Sequence, residues 1–89
     1  MRLHADFKLL ATPENHRLIV EQLELSKAEA WLALLIADGM TLRAAGEWLG
    51  YTENTTRTFV KRALEKLYVH SQPQLVRSVI LTIYEQEQR

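Results

Sequence analysis

The chain has 89 residues, enough for one small domain with a modest core. Hydrophobic content is 47%, charged content is 25% and the formal net charge is zero, all ordinary for a globular domain. Cysteine is absent, which excludes a disulfide framework and thiolate chemistry. The longest apolar run, Ala30 to Ala37, is too short to span a bilayer, and no signal peptide is visible. We therefore expect a cytoplasmic protein without membrane contact.

Positive charge is concentrated in the second half of the chain. Residues 1–52 contain five Lys or Arg against seven Asp or Glu, whereas residues 53–77 contain five against two. A net charge of zero counts mildly against nucleic-acid binding, but this distribution predicts a local basic surface.

The N-terminal segment, residues 1–24, carries one clear helix signal. Thr12 is a candidate N-cap and Pro13 suits the first helical position, which predicts a helix from Pro13 to about Leu23. Before it, Leu3, Phe7 and Leu10 are at helical spacing and indicate either a short helix or an arm. The segment pads the core, links to another domain or contributes to a dimer, and the sequence leaves these alternatives open.

The next element lies between Leu25 and Gly39. Ser26 and Glu29 form an S-x-x-E capping box, and Gly39 suits a left-handed helix end. Trp31 is predicted to lie in the core, because a domain this small seldom leaves a large aromatic ring outside. The predicted inward face comprises Leu32, Leu35 and Ile36, with Ala28 as a possible addition.

A short helix, a tight turn and a longer helix follow from Thr41 to Leu67. Thr41 and Thr52 are candidate N-caps, and Gly50 suits the end of the short helix. Gly46 predicts a close approach of two helix backbones, and Trp48 is predicted to cover the edge of the core. Two helices joined this tightly form a helix-turn-helix, whose second helix is suited to the DNA major groove.

The longer helix, about residues 53–67, has two distinct faces. Val60, Ala63, Leu64 and Leu67 predict a buried stripe. Polar side chains fall on another side, which suits base edges and phosphates but also fits an ordinary solvated helix face. The polar side chains are Asn54, Arg57, Thr58 and Lys61, with Arg62 and Lys66 toward the edge.

A last helix is predicted from Ser71 or Gln72 to about Tyr84, followed by a frayed tail at residues 85–89. Leu81 and Tyr84 fall off its inner stripe, which suggests a dimer face. The predicted inner stripe comprises Leu75, Val76, Val79, Ile80 and Ile83.

An ordered set of short motifs runs without a gap from Leu25 to Val76. The motifs are Leu25-Ser26 and Glu29, Ala37-x-Gly39-Met40-Thr41, Leu49-Gly50, Thr52-Glu53-Asn54-Thr55-x-Arg57-Thr58, Lys66-Leu67-x-Val69-His70-Ser71 and Gln74-Leu75-Val76. This set resembles the LuxR-type helix-turn-helix domain of bacterial transcription regulators. The chain departs from the family at Thr56, where valine is usual and the hydroxyl needs a partner, and at Tyr68, where glycine is frequent.

The resemblance implies an all-α fold: a small helical bundle in which residues 25–84 form a four-helix domain, with a short N-terminal helical segment before it. It implies sequence-specific binding to double-stranded DNA as a homodimer. By position, base contacts fall to Arg57, Thr58 and Lys61. Phosphate contacts fall to Thr52, Asn54, Thr55, Arg62 and Lys66, with Arg43 as an addition. The dimer contact falls to the last helix, at Leu81, Tyr84 and Arg77.

Two other readings remain open. Region 4 of bacterial sigma factors has a similar helix-turn-helix, which would make promoter DNA and RNA polymerase the partners. A protein-interaction module could use Leu81, Tyr84, Trp31 or Phe59 to hold a partner. An enzyme is not expected, because the three histidines are scattered and Ser71 beside His70 lacks a third triad member. No metal or cofactor is expected.

Overall fold

The computed structural model describes residues 9–89, and these form five helices. The helices are α1 (Pro13–Leu23), α2 (Lys27–Ala37), α3 (Leu42–Leu49), α4 (Glu53–Leu67) and α5 (Gln72–Glu87). No strand occurs within residues 9–89, so the all-α prediction is confirmed. The last helix continues past Tyr84 to Glu87, so the predicted frayed tail begins too early. Glu and Gln are good helix formers, and the Gln88 N–H caps this end on the Tyr84 carbonyl at 3.2 Å.

Each helix begins at a hydroxyl residue that accepts a hydrogen bond from a backbone N–H of the first turn. In α2 the capping box is complete: the Glu29 N–H donates to Ser26 Oγ at 3.1 Å, and the Ser26 N–H donates to Glu29 Oε1 at 2.9 Å. The five N-caps are Thr12, Ser26, Thr41, Thr52 and Ser71. These short-range bonds explain why the helix starts can be located from sequence.

Helix α2 is the centre of the bundle and packs against all four other helices. Ala33 and Leu34, which the predicted inward face omits, are fully buried because α2 is covered on several sides. Around it, Ile19 of α1 and Leu75 and Val79 of α5 lose all contact with solvent. Helices α3 and α4, which form the helix-turn-helix, therefore both pack against the central helix α2.

Three side chains differ from the predicted packing. The sequence pattern predicts Ile80 in the inner stripe of α5, but its side chain is 44% exposed, because Leu75, Val79 and Ile83 fill the interior at a spacing of four. Trp31 is half-buried rather than in the core, and its ring stacks on His16 with centroids 4.0 Å apart. Trp48 is 57% exposed, so most of it lies outside the packing of α3.

Helices α3 and α4 approach closely at Gly46. A Cβ atom added there would lie 2.8 Å from Cγ2 and 2.9 Å from Cβ of Thr56, and would overlap Oγ1. Thr56 is buried, and its hydroxyl donates to the Thr52 carbonyl at 2.8 Å. The close contact at Gly46 is with the side chain of Thr56 and not between the two backbones, and the buried Thr56 hydroxyl has its partner.

Helix α4 ends without glycine. Tyr68 adopts a left-handed conformation with φ 58°, and the Val69 N–H donates to the Leu64 carbonyl at 3.0 Å. The Tyr68 side chain is 90% exposed, so no packing offsets the free-energy cost of its left-handed conformation. Helix α4 thus ends in the usual left-handed conformation, although tyrosine does not favour that conformation.

A carboxylate ties the segment before α1 to the end of α2. Asp38 Oδ1 accepts from the backbone N–H groups of Leu9 at 3.2 Å and Leu10 at 2.8 Å, and Oδ2 accepts from Ala11 at 2.9 Å. The Asn15 amide adds a bond to the Leu10 carbonyl at 3.0 Å. Leu10 is therefore not helical, and the predicted positions at Leu3 and Phe7 lie outside the described residues.

Across the described part of the chain, no helix combines the length and apolar character needed to cross a membrane.

Candidate nucleic-acid interface

The outer face of α4 carries the residues predicted to read bases. Arg57, Thr58 and Lys61 are all exposed, whereas Thr56, Val60 and Ala63 face the core. This division follows from the helical period, because residues three and four apart share a face. No residue from 9 to 89 covers the α4 side chains that would contact a duplex.

Arg57 and Lys61 line a groove of about 650 Å³ beside α4. Arg43 of α3 and His70 before α5 also line it, so four basic side chains from three parts of the fold meet there. Glu53 is the single acid among the residues that line this groove. Its remaining lining residues are Thr41, Leu42, Val60, Leu64, Ser71 and Gln72.

Two helix starts also reach this groove. Thr41 caps α3 and Ser71 caps α5, so the N-terminal ends of both helices lie beside Arg57 and Lys61. Backbone N–H groups at such ends favour anions. His70 and the start of α5 were not among the predicted site residues, and only the packing of α5 beside α4 brings them here.

The predicted phosphate-contacting residues of α4 cluster on the neighbouring side of the helix. Asn54, Thr55 and Arg62 line a smaller hollow of about 240 Å³ together with Phe59. Thr58, predicted as a base contact, lines this hollow and not the groove of Arg57 and Lys61. Thr52 donates its hydroxyl hydrogen to Thr55 Oγ1 at 2.9 Å, and the Thr55 N–H donates back to Thr52 Oγ1 at 3.2 Å. The structure thus brings Asn54, Thr55 and Arg62 together on one solvent-facing surface.

Two of the basic side chains are held by neighbouring acids of their own helix. Arg57 Nη2 donates to Glu53 Oε2 at 2.6 Å, and Arg43 Nε donates to Glu47 Oε2 at 3.3 Å. All four side chains are more than half exposed. Exposed pairs of this kind contribute about 0–1 kcal/mol, so either arginine can exchange its partner at little cost.

Lys66 differs from the other predicted phosphate-contacting residues. Its Nζ donates to Glu29 Oε1 at 2.7 Å, and this carboxylate, only 3% exposed, also completes the α2 capping box. Burial raises the pKa of the Glu29 carboxyl, but the Lys66 ammonium and the Ser26 hydrogen bonds outweigh it and hold the pKa below its ordinary value. Lys66 therefore joins α4 to α2, and two of its three N–H donors remain for other partners.

The predicted dimer residues lie on the outer side of α5, away from the helix start that lines the groove. Leu81 is 44% exposed, Tyr84 is 56% exposed and Arg77 is also exposed. Ile80 joins them, one turn before Tyr84. The spacing of Ile80 and Tyr84 by four residues is a signal in the sequence from which this wider patch could have been predicted.

Comparison of the chain with protein-family models, with curated proteins and with solved structures gives no match.

Proposed function

We propose that the protein is a sequence-specific, DNA-binding transcription regulator of the LuxR-type helix-turn-helix class. It acts in the cytoplasm as a homodimer, without a cofactor and without enzymatic activity. The observation that carries this proposal is the open α4 face, on which Arg57 and Lys61 line a groove together with the start of α3, including Arg43, and the start of α5 with His70 before it. A guanidinium and an ammonium one turn apart suit guanine edges in a major groove.

The proposed docking places α4 in the major groove. Arg57 binds guanine O6 and N7 through its fork, and Thr58 and Lys61 contact neighbouring base edges. Arg43, Thr52 and the cluster of Asn54, Thr55 and Arg62 bind phosphates on either side. Lys66 contributes to phosphate binding through the N–H donors that Glu29 leaves unused.

The test of this proposal is binding-site selection from random duplex, followed by binding to random and selected duplexes across a range of salt. A phosphate-contacting domain loses affinity steeply as salt rises, with a slope near −0.9 per phosphate contact. Arg17→Ala on α1 is the control for any variant that removes a cation of α4, since it removes an exposed cation from a different helix. Absence of duplex affinity at low salt would contradict the proposal and favour a protein-interaction module.

Replacing Lys61 by alanine is expected to relax selection at one base step and to weaken binding to the selected duplex by about 1–3 kcal/mol. The reason is that Lys61 supplies a base contact and not only positive charge. Selection from the random pool by the variant checks the first effect, and titration against the selected duplex checks the second. A selected sequence identical to that of the wild type would remove Lys61 from base reading.

Replacing Leu81 by glutamate is expected to raise the dimer dissociation constant by at least about tenfold while the monomer stays folded. The carboxylate would have to be desolvated in an apolar contact between two α5 helices. Sedimentation equilibrium measures the association, and far-UV circular dichroism reports the fold. Gln22→Glu on α1 is the control for added charge. A wild type that remains monomeric at high concentration would contradict the dimer.

A further inference from the structure

Among residues 9–89, Glu53 is the one acid in the groove beside α4, whose other ionisable lining residues are Arg43, Arg57, Lys61 and His70. Glu53 lies at the first position of α4, and its carboxylate is bound to Arg57, the residue best suited to read guanine. A surface that served only to attract phosphates would be expected to carry no acid among its lining residues.

The pairing of Glu53 with Arg57 is easily exchanged. The two side chains are one helical turn apart, at 53% and 68% exposure, so water and salt compete for both charges. Arg57 is therefore paired with Glu53 in the free protein and can leave it for an acceptor that binds the guanidinium more strongly. The better partner must offer two acceptors to the guanidinium fork and must not repel the carboxylate.

We propose that Glu53 is a specificity-determining residue, which penalises binding to random duplex and permits binding where a guanine takes over Arg57. This inference deepens the proposed function and rests on it. On random duplex, the carboxylate keeps Arg57 occupied and opposes the approach of phosphates. On the right site, Arg57 moves to guanine, and the freed carboxylate accepts a hydrogen bond from a cytosine amino group, which is the base-edge donor that acids recognise.

The two duplex classes consequently respond differently to the loss of this charge. Removing it adds about one unit to the salt slope on random duplex, because the face gains one effective positive charge. On the selected site the same change loses the cytosine contact, which offsets the gain. The ratio of the two affinities therefore falls, although the total charge of the protein becomes more favourable for DNA.

The experiment uses the full chain and two fluorescent duplexes of equal length, one random and one selected by the wild type. Glu53→Gln removes the charge and retains the shape. Glu47→Gln is the matched control: it also removes one exposed acid paired with an arginine one turn away, but Glu47 does not line the groove. Both variants are repeated with Arg57→Met, and circular dichroism verifies that each variant is folded.

We expect Glu53→Gln to bind random duplex several-fold more tightly and to lose about tenfold in the ratio of selected to random affinity, one tenfold step being a single good contact. Glu47→Gln should change the ratio by less than about twofold. The Glu53 effect should be smaller with Arg57→Met, because only the repulsion of phosphates and the cytosine contact remain. Equal effects of Glu53→Gln and Glu47→Gln, or an unchanged ratio, would overturn the role of Glu53 and leave DNA binding standing. A wild type that binds neither duplex would overturn both.

Discussion

Gly46→Val is expected to destabilise the fold by about 3 kcal/mol or more, the largest effect of any single change considered for this chain. The Cβ alone would overlap the side chain of Thr56, and the branched methyl groups would extend further into the same contact. Thr56 cannot turn away freely, since it is buried and its hydroxyl is bonded to the Thr52 carbonyl. The two helices of the helix-turn-helix would have to separate.

The measurement is thermal and urea unfolding of the wild type and of a graded series. In a domain of this size, 3 kcal/mol corresponds to a fall in melting temperature of more than about 10 °C. Gly46→Ala should cost less, because improved helix propensity returns about 1 kcal/mol. Ala44→Val, on the same helix but half-exposed, measures the cost of a β-branched residue without the overlap. Equal stability of Gly46→Val and Ala44→Val would show that α3 and α4 are not in close contact.

Lys66→Met is expected to destabilise the protein by about 2–3 kcal/mol at neutral pH. Removing one partner of a buried pair typically costs more, but Lys66 is 43% exposed, so water partly replaces it. The variant removes the cation from the Glu29 carboxylate, which is only 3% exposed in the wild type. Denaturant unfolding at neutral pH measures the loss, and Lys61→Met is the control for the same change at an exposed α4 position, with an effect within about 0.5 kcal/mol.

The pH dependence distinguishes a lost charge pair from lost packing. The pKa of Glu29 in the folded wild type is lowered, so its contribution to stability is present above the unfolded pKa and is lost as pH falls through the folded pKa. In Lys66→Met the burial that raises the pKa remains and the ammonium that lowers it is gone, so Glu29 takes up a proton at a higher pH than in the wild type. The stability difference should therefore shrink at acid pH, and Glu29→Gln should restore much of the stability of Lys66→Met. A pH-independent difference would assign the effect to packing.

Local interactions account for what the sequence predicts well. The capping box of Ser26 and Glu29, the cap at Thr52 and the position of Pro13 each depend on atoms within a few residues, so sequence patterns locate the helix starts. The exposure of Arg57 and Lys61 also follows from the period of α4 alone. These are the features from which the all-α fold and the candidate base-reading face were predicted.

Contacts between distant parts of the chain could not be predicted in the same way. Lys66 fits an exposed polar face by its spacing, yet the fold places it on Glu29, 37 residues earlier. Asp38 binds backbone groups 27 to 29 residues before it, and no side-chain pattern marks a backbone donor. Ile80 fits an inner stripe by its spacing, but neighbouring side chains of α5 fill the interior and leave it 44% exposed. Each case depends on how helices are placed relative to one another.

The carboxylate at Asp38 has a mechanical consequence. Both of its oxygens hold the entering chain at residues 9–11, and the same residue is the C-cap of α2, immediately before the turn that leads to Thr41 and α3. A pull on the chain ahead of Leu9 would therefore act on these three hydrogen bonds, and Asp38 would carry it to the end of α2. Asp38 lies three residues before Thr41, the N-cap of α3, so tension on the chain before Leu9 would act close to the helix that packs against α4.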